Sequence, residues 1–328
     1  MPRVSIVTPL HNKGLYVAET IRTVQTQTVA DWEMIVVENH SSDDGPVQVE
    51  ALAVTDARIR LIRAPESVRG PGAARNLGLE HALGEWILFL DADDLIEPYY
   101  LTSLLTKAGE LPEAVVIASP WAEFVEGSAT RDRETKFPAG MKDQEMALED
   151  YAIAHTCWAV HSAIIRGSWL GSKLWPEELD GYLAEDTAFW FRVVMGARVA
   201  YSDAVGALYR TQTANCRTDF SAEAWFEGNH RAAAHNLALL ASFGKEPTPG
   251  QMESLMRHYE GLYDSARQEG NRFVAARALQ EARNWLAKLR QSSGLPSPVL
   301  RLRHHLGIPS FVAVRGFLRK LKTTSRHA

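Results

Sequence analysis

The run Ile87-Leu88-Phe89-Leu90-Asp91-Ala92-Asp93-Asp94 decides how this chain is read. Its apolar residues, preceded by the almost wholly apolar start at Trp86, predict a short strand covered on both faces, as in parallel sheets flanked by helices. Three carboxylates at the end of such a strand repel one another and lose hydration as a site closes, so the arrangement is expensive to build. A cation offsets that cost. Alternation along an extended segment puts Asp91 and Asp93 on one side and Asp94 on the other, and hard oxygen ligands suit Mg2+ or Mn2+ shared with a diphosphate. The competing reading is an acidic loop in which Asp94 caps a following helix, Leu95 to Ala108.

Upstream, strand-like and helix-like periods alternate. Val4 to Val7, Glu33 to Val37 and Ile59 to Ile62 read as strands; Leu15 to Gln27, Val47 to Ala53 and Gly72 to Leu83 read as helices. This βαβ order predicts an α/β sheet whose ligands bind beyond the carboxyl ends of the strands. Polar clusters stand at those ends: Thr8 to Asn12, Glu38 to Asp44, and Asp91 to Asp94. A further strand is expected over Ala114 to Ala118, and beyond Phe220 the pattern becomes helical.

Three regions follow: an α/β domain over 1–218, a helical extension over 219–292, and a basic amphipathic tail over 293–328 behind a linker at Gln291 to Pro296. The 328 residues are 46% hydrophobic and 23% charged, which excludes disordered and fibrous classes. Cys157 and Cys216 match neither a disulfide framework nor a zinc site. With neither a signal peptide nor a stretch of roughly 20 apolar residues, the expectation is a cytoplasmic protein, peripheral at most to the inner face of a membrane. The net charge of −5 hides an asymmetry: no Asp or Glu follows Glu281, and ten Lys and Arg do. The tail is therefore expected either on an anionic membrane surface or docked on the acidic body. Nucleic acid is not an expected partner.

Four ordered motifs carry a resemblance. Val4-Ser5-Ile6-Val7-Thr8-Pro9 with Asn12, Ile35-Val36-Val37-Glu38-Asn39 with Ser41-Ser42-Asp43, Ala74-Arg75-Asn76-Leu77-Gly78, and Leu90-Asp91-Ala92-Asp93-Asp94 together resemble family 2 glycosyltransferases of the GT-A fold. A fifth, Ala184-Glu185-Asp186-Thr187-Ala188-Phe189-Trp190, resembles that family's acceptor-side acidic motif. The resemblance implies an inverting transfer from a nucleotide diphosphate sugar, UDP-linked in the usual case, to a saccharide or lipid-linked acceptor. It implies that Thr8, Pro9 and Asn12 line the donor pocket and that Glu38 and Asn39 stand where paired aspartates usually read the base. Asn39 departs from that pattern, because an amide offers a donor as well as an acceptor. The resemblance also implies Arg75 beside the diphosphate, Asp93 on the metal, Asp91 facing the ribose or sharing the ion, and Asp186, or alternatively Glu185, as the base. Gln212 stands where many relatives carry a metal-binding histidine.

The residues alone keep alternatives open. Glu38 and Asn39 also suit a turn, Arg75 a surface salt bridge, and Glu185 with Asp186 the first turn of a helix. The Gly70-Pro71-Gly72 entry to a helix offers N–H groups to an anion. Trp158 and Trp175 lie where an acceptor sugar would stack, although lone tryptophans are more often core. At the level of the whole chain, the competing functions are a non-catalytic nucleotide-binding GT-A module and a haloacid-dehalogenase-like phosphatase, the latter because an apolar strand also ends there in Asp-x-Asp.

Overall fold

A computed structural model of the chain describes residues 2–125, 133–141, 146–172, 174–213, 221–295 and 297–324, with side chains as far as residue 316. The chain forms two compact units, Met1–Ala152 with Thr156–Asp219, and Ile153–His155 with Phe220–Ala328. The expected boundary at 218 and Cys216 lie outside the described residues.

The first unit opens as the alternation predicts: β1 (Val4–Leu10), α1 (Val17–Gln25), β2 (Trp32–Glu38), α2 (Gly45–Thr55), β3 (Ile59–Arg63), α3 (Pro71–Glu80) and β4 (Trp86–Phe89). It continues with β5 (Leu95–Ile96), α4 (Tyr100–Glu110), β6 (Val116–Ala118), β7 (Trp121–Val125), β8 (Glu134–Lys136), α5 (Leu148–Ala152), β9 (Ala163–Arg166), α6 (Gly167–Leu170), α7 (Glu185–Val194), β10 (Val199–Tyr201) and β11 (Ala207–Thr211). The main sheet runs β10-β6-β9-β4-β1-β2-β3, and a smaller one runs β5-β11-β7-β8. Strands β4, β1, β2 and β3 are parallel; β9 is antiparallel to both β4 and β6. This is the mixed α/β sheet that the sequence predicts.

Burial explains the order. The strands β1, β2 and β4 are almost wholly buried, and α1 turns Val17, Ile21 and Val24 onto the same core. Each such side chain contributes about 1.5–3 kcal/mol on burial. Helix α3 approaches β1 so closely that a Cβ at Gly78 would lie 2.4 Å from Val7 Cγ1. Parallel packing carries the carboxyl ends of β1, β2 and β4 to one edge, where the three polar clusters meet.

One local expectation is corrected. Asp94 caps no helix, because the strand β5 follows it and α4 begins only at Tyr100.

The second unit is helical: α8 (Ala222–Ser242), α9 (Pro249–Gln268), α10 (Arg272–Ser293), α11 (Pro298–Leu306) and α12 (Ile308–Thr324). Side-chain caps start the first four. Ser221, Asn271 and Ser297 each accept a backbone N–H, and Thr248 with Gln251 closes a capping box. The expected linker begins inside α10, which runs to Ser293, and the tail belongs to the same unit as the extension. Arg303 of α11 and Arg315 of α12 both turn onto Glu260 of α9, at 2.9 and 2.6 Å. Part of the tail's basic charge is thus spent internally. No described helix is long and apolar enough to cross a membrane.

Candidate functional site

The site grows from β4. Its acidic end is wired to four other segments of the first unit. Asp91 Oδ1 accepts from Arg75 Nη2 at 2.6 Å. Asp93 Oδ2 lies 2.7 Å from Lys13 Nζ and accepts from the Thr213 hydroxyl at 3.1 Å. Asp94, 2% exposed, accepts from the Arg210 backbone N–H at 2.8 Å and sits 3.1 Å from His161 Nδ1. Burial, reinforced by Asp93 and Asp91, raises the Asp94 carboxyl well above its usual range. Burial also lowers His161 to about 4. Both effects favour neutral forms, as expected where charge is withdrawn from water.

Arg75 is the hub. It is 3% exposed on α3, with its guanidinium 4.2 Å from the Trp175 ring centroid. Its Nε and Nη1 are buried without a hydrogen-bond partner among the described residues. A surface salt bridge is thereby excluded, and two donors remain unspent on the side chain that already holds Asp91.

The acceptor-side acids begin α7. Ala184, with φ 72°, turns the chain in, and Glu185 and Asp186 form the first turn. Asp186 Oδ1 accepts from the Thr187 N–H at 2.8 Å. Burial, then the neighbouring Glu185, raises Asp186 to about 6, while Thr156 and Arg75 pull the other way. Arg75 therefore acts electrically on both the donor-side and the acceptor-side acids. A carboxylate that half-titrates near 6 suits proton abstraction near neutrality.

At the ends of β1 and β2, Thr8 and Asn39 are buried, and Thr8 Oγ1 and Asn39 Oδ1 have no hydrogen-bond partner among the described residues. Asn39 Nδ2 donates to the Gly70 carbonyl at 2.9 Å. Glu38 accepts from the Ser41 N–H, and Asn12 Oδ1 from the Ser42 N–H at 2.8 Å. Glu38 and Asn12 therefore shape the turns beside Pro9. Asn12, His40, Ala184 and Gln212 are the non-glycine residues with left-handed φ among the described residues, and all flank this site. Strained backbone is characteristic of sites whose surroundings over-determine it.

Two expectations are corrected. Trp158 and Trp175 are 1% and 2% exposed: Trp158 packs edge-on against Trp190, and Trp175 stacks on Phe189 at 3.9 Å. Neither ring leaves a face open to a sugar. The N–H groups at the start of α3 are likewise taken, because the Asp180 carboxylate accepts from Gly72 at 2.7 Å and Ala73 at 2.8 Å. A Cβ at Gly70 or Gly72 would lie 2.5 Å from Asp180, so the glycines make room for the chain's own anion. Lys13, Asp180 and Thr213 escape a reading of the sequence, whereas Arg210 lies two residues before Gln212 in the segment that the family resemblance picks out. Of the three, only Lys13, beside a strand-end turn, carries a positional signal.

Asp91 and Asp93 fit a hard cation held jointly with a diphosphate rather than a cage of protein ligands. Both offer carboxylate oxygens. No group of three or more His, Cys, Asp or Glu that could hold a metal occurs among the described residues.

The chain is similar to known proteins along this same frame. The family model described as Glycosyl transferase family 2 matches residues 5–169. A GalNAc(5)-diNAcBac-PP-undecaprenol beta-1,3-glucosyltransferase of Campylobacter jejuni is 32% identical over 182 residues, 55% of this chain and 57% of that one. The chain spans about half the length of the curated relatives it matches. The crystal structure of S. aureus TarS 1-349 with UDP has a TM-score of 0.64 at 20% identity, covering 98% of this chain and 92% of that one. The mannosyltransferase PcManGT from Pyrobaculum calidifontis, in complex with GDP-Man and Mn2+, has a TM-score of 0.54 at 20% identity, covering 97% and 85%. With its motifs in order and its sheet in the GT-A arrangement, the chain belongs to glycosyl transferase family 2.

Proposed function

We propose that this protein transfers a sugar from a UDP-linked donor to an acceptor hydroxyl with inversion, assisted by a divalent metal, in building a polysaccharide or glycoconjugate. The observation that carries the reading is Arg75, bonded to Asp91 and acting electrically on Asp186 from a buried position with two unspent donors. The donor diphosphate lies beside Arg75 and the β4 carboxylates, and the acceptor approaches Asp186. Asp186 takes the proton as the hydroxyl oxygen bonds to the anomeric carbon from the face opposite the diphosphate. The bond from that carbon to the leaving oxygen breaks, and the Arg75 guanidinium stabilises the charge that collects there. Asp93 and Asp91 would hold a divalent ion, which when bound would add charge stabilisation for the leaving diphosphate.

Asn39 supports a uracil-type base. Its Nδ2 is anchored by donating to the Gly70 carbonyl, and its buried Oδ1 is an acceptor, the role a carboxylate oxygen plays. Among the similar proteins, one fold neighbour is a UDP complex, another is a GDP-Man complex with Mn2+, and the Campylobacter relative is named for an undecaprenol-linked acceptor, which supports a nucleotide-sugar donor, a divalent metal and a lipid-linked acceptor. On α11, the exposed Val299, Leu302 and Leu306 beside Arg301 support contact with an anionic membrane where such an acceptor resides. Retention on anionic but not neutral vesicles checks that contact.

The deciding experiment is donor hydrolysis and transfer across UDP-, GDP- and dTDP-sugars, with and without chelator. Turnover of a UDP-sugar that is lost on chelation and in Asp93→Ala, with an inverted anomeric proton signal in the product, is expected. Nucleotide binding without turnover of any donor would instead support the non-catalytic module.

A further inference from the structure

The contacts of Asp93 raise a question that the metal reading leaves unanswered: a cation is already there. Lys13 Nζ lies 2.7 Å from Asp93 Oδ2 and 3.2 Å from Thr213 Oγ1, and the Thr213 hydroxyl donates to that same carboxylate oxygen. The two charged side chains are only 16% and 17% exposed. Ammonium, carboxylate and hydroxyl thus form a closed triangle joining the turn after β1, the end of β4 and the segment after β11.

The turn that presents Lys13 is fixed on both sides. Asn12 has φ 52° and its N–H donates to Ser41 Oγ at 3.2 Å. The Gly14 N–H donates to Asp43 at 2.7 Å, and a Cβ there would lie 2.5 Å from Asp44 Oδ1. Lys13 therefore starts from an anchored backbone, unlike the long flexible lysines whose surface pairs contribute little. Its partner Thr213 directly follows Gln212, the position at which the family resemblance leads one to expect a metal-binding histidine.

We propose that Lys13 is a built-in counter-cation of Asp93 that competes with the divalent metal and gives way when the donor diphosphate arrives. The inference rests on the metal-assisted reading above. Arg75 neutralises Asp91 in the same way, so the donor-free site presents little unbalanced negative charge to a bare metal ion. A diphosphate brings its own negative charge, which gives the displaced ammonium an alternative partner. Metal and nucleotide must then strengthen each other's binding, and by linkage the coupling is reciprocal. Removing the lysine strengthens metal binding in the absence of nucleotide and shrinks that coupling.

The test is Mn2+ titration followed by the electron paramagnetic resonance of free Mn2+, with and without UDP, on the wild type, Lys13→Met and Lys13→Arg, each checked for folding by its melting temperature. Without UDP, Lys13→Met is expected to bind Mn2+ at least about fivefold more tightly than the wild type, with a smaller gain on adding UDP. Lys13→Arg, which keeps the cation, is expected to match the wild type. Lys13→Gln supplies the same comparison if Lys13→Met loses its fold. Equal or weaker Mn2+ binding in the neutral variants overturns the role of Lys13 alone. A wild type that binds no Mn2+ even with UDP overturns the metal reading, and this inference with it.

Discussion

Asp94 and Glu260 are both acids withdrawn from water, at 2% and 0% exposure, and the two units hold them in opposite ways. Glu260 in the helical unit has a guanidinium on each oxygen, Arg303 on one and Arg315 on the other. Asp94 in the α/β unit has a backbone N–H and a histidine driven toward neutrality, and two further aspartates act against its charge. Buried charge in the helical unit serves cohesion. At the end of β4 the cations pair with Asp91 and Asp93, and Asp94, like Asp186 at the start of α7, is left with a raised carboxyl beside like charge. Local rules broken without local compensation mark sites where something other than stability is served.

The comparison breaks most visibly at Asp186. Asp186→Asn is expected to lower turnover about 10^2- to 10^4-fold, the range of a lost general base, while raising stability at pH 7 by about 1–3 kcal/mol. The sign follows from the raised carboxyl. With a folded pKa of about 6 against an ordinary 3.8, the native state holds the proton more tightly. Stability therefore falls as pH rises between those values, and the full penalty applies above 6. Turnover together with urea unfolding checks both halves; a variant that is less stable yet active contradicts them.

Glu260→Ala is expected to do the reverse. It leaves two arginines facing a vacated pocket and costs about 3–5 kcal/mol of stability, with UDP affinity of the α/β unit unchanged in calorimetry. Loss of nucleotide binding at temperatures where the variant remains folded would erase the distinction between the units.

A smaller effect sharpens the Asp186 half. Below pH 6 the rate is expected to fall about tenfold per pH unit as the base protonates, and a pH profile flat to pH 5 would remove Asp186 from the role. Smallest of all, Thr248→Ala removes the capping box of α9 and is expected to cost about 1 kcal/mol by thermal melting, with no kinetic consequence.

The comparison also explains what the sequence discloses. Strands β1, β2 and β4 are legible because burial on both faces demands unbroken apolar runs, and their polar ends are legible because parallel strands end together. Asp93, Asp186 and Arg75 can be located by motif because local order carries them. Asp180 cannot: its partners at α3 lie 107 and 108 residues away, and no local pattern links a loop aspartate to a distant helix start. Asp94 misleads because a two-residue strand is too short to show a period, so a reading of the sequence starts the following helix at Leu95. Trp175 misleads for a different reason. Its ring stacks on Phe189 and lies under Arg75, and sequence cannot distinguish a ring that supports a site from one that faces its ligand. The pairing of Glu260 with the tail shows in composition only as charge asymmetry.

That pairing has a consequence for how the protein is made. Glu260 and Arg315 are 55 residues apart, and at synthesis rates of about 5–20 residues per second the acid is polymerised roughly 3–11 s before its second arginine. During that interval α9 cannot close over an uncompensated carboxylate. The helical unit must therefore assemble late, after an α/β unit whose strands carry most of what they need.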